Sequence, residues 1–230
     1  MRPFFPSLLL TLLLPVAGWA EGCPPAPHPT VLVTTRQDPP QTTTNNDIGD
    51  LRSRQTGQSS AVHGGEHVPL GLTAAQTQYQ ISMQAQVSQL RDGSYCVAFK
   101  DVDVQYSFSN TTIYIAHEVP SGSCLYNEVM NHEQRHVAVD GQLLREWQFR
   151  LQQDTEYAVR QVGTLRGNDR QALMEQLKAS LRSALQNTSD SLLAERGRRQ
   201  SQVDTRMEYD RVSRACNGAA QDIVRKALGY

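Results

Sequence analysis

Tyr126-Asn127-Glu128-Val129-Met130-Asn131-His132-Glu133-Gln134-Arg135-His136-Val137 is the stretch on which the fold turns. Leu125, Val129, His132, His136, Leu143 and Trp147 fall near one stripe of a helix that Ser123 can cap. No proline interrupts that helix before about residue 162, where Gly163 and Gly167 break it. Upstream the period is two. Tyr79, Ile81, Met83, Ala85 and Val87 alternate with Gln78, Gln80, Ser82, Gln84, Gln86 and Ser88, which predicts a half-buried strand. Arg91-Asp92-Gly93-Ser94 has turn chemistry, and Val102, Val104, Tyr106 and Phe108 then alternate with Asp103, Gln105 and Ser107. Asn110 punctuates, Thr112–Ala116 gives one more strand, and Val31-Leu32-Val33 is a short one near the start. The expected sheet is small and antiparallel, with three or four strands.

Downstream, Leu173, Leu177, Leu181 and Leu185 recur every four residues in a second helical stretch that begins near Asn168. It bends around Gly197 and continues towards Arg214, and a last short helix holds Ile223, Val224 and Leu228. Two long helices joined by a short glycine turn form an antiparallel hairpin. The fold class is therefore α+β: a sheet, then the helix bearing His132 and His136, then a long antiparallel helical hairpin.

Outward from this centre, the N-terminus reads as an export signal. Arg2 precedes the apolar run Leu8–Leu14, and Gly18 and Ala20 are small residues spaced for cleavage, so residues 1–20 are expected to be removed. The run is too short for a comfortable span of ~30 Å of hydrocarbon, so no stable membrane span remains after cleavage. Residues 21–76 hold the N-terminal strand and a flexible polar loop rich in Thr, Gln, Ser, Gly and Asn, and residues 77–230 form the main domain. With Arg2 gone, the basic count falls from 22 to 21 against 23 acidic residues, a formal charge of -2. Such a balance lacks the excess basic charge by which proteins hold nucleic acid. Cys23, Cys96, Cys124 and Cys216 allow three pairings. Cys96 ends a hairpin and Cys124 opens a helix, which favours Cys96–Cys124 and leaves Cys23–Cys216 to tie the ends.

The chemistry sits at residues 132–136. His132 and His136 are one helical turn apart on the same face, so both imidazoles can reach one zinc ion, Zn2+. Glu133, next to the first imidazole, can act as general base on a water polarised by the metal. The third ligand is less legible. Glu156 follows His136 by twenty positions, but on a continuous helix it lies about 30 Å along the axis at 1.5 Å per residue. Asp140, one turn beyond His136, is placed to orient that imidazole through its other nitrogen rather than to bind metal. Folding back about residues 163–168 sets Glu195 opposite His136, which makes Glu195 the first candidate; a slip of one turn would bring Asp204 or Glu208. His117-Glu118 could line a cleft, and His63 and His67 could cover it.

Residues 126–137, preceded by strands, resemble a family of predicted secreted zinc-dependent proteases of Gram-negative bacteria, catalogued as a domain of unknown function. The likeness extends over about residues 77–216 and includes Met207-Glu208-Tyr209-Asp210-Arg211 on the closing segment. It implies a zincin-like fold and metallopeptidase activity, with His132 and His136 on zinc and Glu133 as base. The family pattern has an acid five positions after the second histidine; here Gly141 stands there and Asp140 comes one place earlier. By analogy with other zinc peptidases, Tyr209 is a candidate donor to the oxyanion; its other reading is an ordinary buried tyrosine. Three functions follow: a periplasmic or secreted peptidase acting on peptide or protein substrates, a non-catalytic envelope protein binding partners through its hairpin, and a zinc hydrolase of non-peptide amides.

Overall fold

A computed structural model describes residues 22–26, 28–57 and 68–229. The expected signal segment, His63 and His67 lie outside the described residues. The spine is β4 (Tyr95–Ile115), and β3 (Gly71–Gln89) runs antiparallel along one of its edges, from Gly71 opposite Ile115 to Gln89 opposite Tyr95. Three short strands follow one another along the other edge. β5 (Leu165–Gly167) is antiparallel against Tyr95–Val97; β1 (Thr30–Gln37) and β2 (Gln41–Thr43) are parallel to β4. The sheet is thus mixed and five-stranded, not the all-antiparallel one expected from sequence. Parallel neighbours need a long connection, and the chain between β1 and β4 provides it, with α1 (Ile48–Gly57) and β3 inside it.

Two bulges keep the apolar face of β4 on one side. Gln84 pairs Asp101 while Ala85 pairs Phe99, so Lys100 is the extra residue; Phe99 and Val102 both point inward although three positions separate them. The second bulge, between Ala74 and Gln76 on β3, holds Asn110 at φ 52°. Asparagine tolerates that left-handed conformation better than most residues, and its Nδ2 donates to Gln76 Oε1 at 2.9 Å. Asn110 therefore lies within β4 instead of ending a strand. Beyond this bulge the same face continues through Ile113 and Ile115.

That face packs against the hairpin of α2 (Cys124–Val162) and α3 (Arg170–Val203). Val97, Phe99, Val104 and Phe108 meet the layer that contains Leu143, Leu151, Leu177 and Leu181, all buried. Ser123 caps α2 as its sequence position implied, accepting from the Tyr126 N–H at 3.1 Å. Asp169 caps α3, which runs unbroken through Gly197. The break comes later, at Asp204 and Thr205, where Thr205 caps α4 (Arg206–Leu228). Inside α4, residues 215–218 leave helical geometry, with Cys216, Asn217 and Gly218 at positive φ. No helix among the described residues is long and apolar enough to cross a membrane.

The disulfides are Cys23–Cys96 and Cys124–Cys216, with Cα–Cα distances of 5.7 and 5.8 Å. The favoured pairing of Cys96 with Cys124 and of Cys23 with Cys216 is corrected. The reason is the length of β4: after Cys96 the strand carries the chain about 60 Å along its path, at ~3.3 Å per residue, before α2 begins. Cys96 and Cys124 thus stand at opposite ends of the sheet. Cys96 instead anchors the N-terminal segment, and Cys124 ties the start of α2 to the turn inside α4.

Candidate metal centre

His132 and His136 project from the buried face of α2, as their spacing implied. Their Nε2 atoms are 3.2 Å apart, and each lies 3.1 Å from Asp204 Oδ1. Donor atoms around a tetrahedral ion with bonds of about 2.0–2.1 Å stand about 3.3 Å from one another. The three atoms therefore already match one face of such a shell, and His132, His136 and Asp204 could together hold a metal ion.

Asp204 occupies the place expected for Glu195. Asp140 meets Arg196, and His136 meets Gln200, so α3 sits about one turn further along than a symmetric fold-back at residues 163–168 would set it. The connection between the helices holds β5 and the Asp169 cap before α3 begins. Glu195 is engaged elsewhere. Its carboxylate receives Arg198 at 2.6 and 2.8 Å and Arg199 at 2.8 Å, and these guanidinium contacts hold its pKa down at about 2.

Each imidazole is gripped from behind. His136 Nδ1 lies 2.5 Å from Gln200 Oε1, an acceptor, so Nδ1 keeps a proton and Nε2 is the nitrogen left to bind a metal once it gives up its own. Gln200 Nε2 donates to Asp140 Oδ1 at 2.6 Å and to the His136 carbonyl at 3.1 Å. Asp140 is fully buried and takes a two-pronged contact from Arg196 at 2.8 and 2.7 Å; that guanidinium lies 4.7 Å over the Phe108 ring. Asp140 thus acts on His136 through Gln200, one link further away than its position on α2 suggested. His132 Nδ1 faces Glu208 Oε1 at 3.4 Å. Glu208 in turn is held by Arg211 and Arg135, contacts that draw its pKa down to about 2.

Glu133 is buried beside the cluster. Thr73 Oγ1 donates to its Oε2 at 2.8 Å, and the backbone of β3 crosses it at Gly71, where a Cβ would come within 2.5 Å of Oε1. Only glycine allows that approach. Burial raises the Glu133 pKa, against the lowering effect of both histidines and Thr73. At His136 burial disfavours the charged form, but Asp204, Glu133 and Gln200 outweigh it and push the pKa to about 9 in the metal-free protein. Asp204 moves the other way: burial would raise it, yet hydrogen bonds from both imidazoles hold it well below the carboxylate range. Tyr209 lines the same space, its ring 6.2 Å from that of His132. Burial, together with the Asp204 carboxylate, raises its pKa.

These groups line a cleft of about 870 Å³ between the start of β3, the second half of α3, and α4. Other sequence candidates lie apart from it. Glu118 receives the Ile48 N–H at 3.2 Å and so caps α1, and Glu156 pairs with Gln152 and Arg160 further along α2. Gln200, Thr73 and Gly71 were not singled out from sequence. A signal for Gln200 exists: Gln200, Asp204 and Glu208 recur every four residues, the spacing of the two histidines they serve. No protein-family model, curated protein or solved structure matches the chain.

Proposed function

We propose that the protein is a zinc-dependent, zincin-like metallopeptidase working in the periplasm or outside the cell. The observation that carries this reading is the His132, His136 and Asp204 triangle with the Glu133 carboxylate beside it in an open cleft. Two imidazoles and a carboxylate are a donor set suited to catalytic zinc, which when bound supplies Lewis acidity and lowers the pKa of a water.

The chain's own residues do the remaining work. Glu133 accepts a proton from the attacking water and returns it to the leaving amine; its raised pKa suits a group that must hold the proton and then release it. Thr73 fixes the carboxylate by its bond to Oε2. Gln200 and Glu208 orient the two imidazoles, and Tyr209 lines the cleft beside His132. β3 pairs only with β4 among the described residues, so its outer edge beside Glu133 can take a substrate backbone as an added strand. Two disulfides suit an oxidising compartment, and the likeness of residues 126–137 to secreted zinc-dependent proteases points the same way.

The test is Glu133→Gln. Hydrolysis of an unfolded protein substrate should fall by about 10²–10⁴-fold, while zinc content and melting temperature stay at wild-type values. Hydrolysis that survives the substitution refutes the assignment of the base.

A further inference from the structure

We propose that the end of the cleft walled by α4 is a subsite for a large apolar side chain of the substrate, of the leucine or phenylalanine kind, next to the bond that is cut. This rests on the peptidase reading and names its substrate class. The first support is position. The Cβ site of Gly71 lies 2.5 Å from Glu133 Oε1 and 2.6 Å from Val129 Cγ1, so the apolar wall begins one helical turn from the general base. From Val129 the lining continues through Leu70, Val212, Ala220 and Val224. Val212 and Val224 are only partly buried, leaving apolar surface for an incoming side chain to cover.

The second support is charge. Outside the metal cluster and Glu133, the charged residues that line the cleft among the described residues are Arg196 and Arg198, both on α3. Arg196 is held in a two-pronged contact by Asp140, and Arg198 in another by Glu195. A charged side chain entering the α4 end would lose hydration and meet no counter-charge among the described residues that line it. An apolar one loses nothing.

The third is clearance for the substrate main chain. Gly197 lies on the α3 wall, inside a continuous helix, and a Cβ there would meet nothing within 4 Å. Glycine weakens a helix relative to alanine, and no neighbour demands it at this position. What its bare backbone does provide is room across the cleft from the apolar wall. That wall is fixed to α2 by Cys124–Cys216, at the turn between Val212 and Val224.

The experiment is cleavage of a mixed peptide library by the zinc-loaded chain, paired with binding of labelled peptides to zinc-loaded Glu133→Gln, which needs no turnover. The expected result is a preference for Leu, Ile, Met or Phe over Asp, Glu or Lys on one fixed side of the cut, by about tenfold or more. Val224→Asp should abolish that preference in both readouts and favour Lys or Arg at the same position. Val224→Thr, which keeps the volume, should give a smaller loss; melting temperature and zinc content verify that both variants fold. Cleavage without side-chain preference, or a preference unmoved by Val224→Asp, overturns the subsite and leaves the peptidase reading standing. A dimer that apolar peptides dissociate would assign the wall to a second copy and overturn it too. Absence of both cleavage and binding overturns the subsite and the peptidase together.

Discussion

Asp140→Asn removes one charge from a carboxylate that has no exposed surface, and the structure says where the loss travels. Oδ1 accepts from Arg196 Nε and from Gln200 Nε2, while Oδ2 accepts from Arg196 Nη2. An amide nitrogen in place of Oδ2 would face a donor with a donor, and the guanidinium would lose its counter-charge. Losing one partner of a buried pair costs about 3–5 kcal/mol. The Arg196 side chain keeps 19% of its exposure, which argues for the lower end, about 3 kcal/mol. In a domain of this size that lowers the melting temperature by roughly 6–12 °C. The second effect is on the metal, because Gln200 loses its anchor and with it the grip on His136 Nδ1. Loosening such outer partners weakens metal affinity about 10–100-fold. Calorimetric melting of the metal-free protein reads the first effect, and zinc titration against a chelator reads the second. Gln200→Met should reproduce the zinc effect with little change in melting. If Asp140→Asn lowers the melting temperature but leaves zinc affinity unchanged, the chain of contacts from Asp140 to His136 does not act as described.

Three further outcomes follow from the same geometry. Gly71→Ala would press a methyl group against Glu133 and Val129, at 2.5–2.9 Å in the undisturbed structure; overpacking of this kind costs about 1–3 kcal/mol, and peptide hydrolysis should fall while zinc content holds. In the metal-free protein the His136 pKa rises from 6.5 to about 9, so the stability it contributes is fully present below pH 6.5 and lost as pH climbs through about 9. Denaturation of the metal-free chain across that window should show the decline. Zinc binding at pH 7 should release close to one proton from His136, measurable by calorimetry in buffers of different ionisation heat.

Local chemistry was legible because local residues decide it. The step of four between His132 and His136 fixes their common face, Ser123 caps the helix that carries them, and alternation marks the inner face of β4. What stayed hidden depends on distant parts. Val31-Leu32-Val33 reads as a strand, but its parallel direction is set by a crossover that no residue in it encodes. The third candidate ligand depends on hairpin register, which neither helix encodes locally: His136 meets Gln200 and Asp140 meets Arg196. Gly197 looked like the natural bend in α3, yet the helix breaks at Asp204, which leaves the regular helix at the point where its carboxylate meets both histidines. The disulfides were misassigned for a similar reason: the length of β4 as one continuous bent strand, through Asn110, separates Cys96 from Cys124.

His132, His136 and Asp204 are proposed to bind one zinc ion. Elemental analysis of the purified protein beside its Asp204→Ala and Glu195→Ala variants tests it directly. The wild type and Glu195→Ala should each carry close to one zinc per chain, and Asp204→Ala should show a marked loss. A zinc-free wild-type protein, or zinc retained without Asp204 and lost without Glu195, would contradict it.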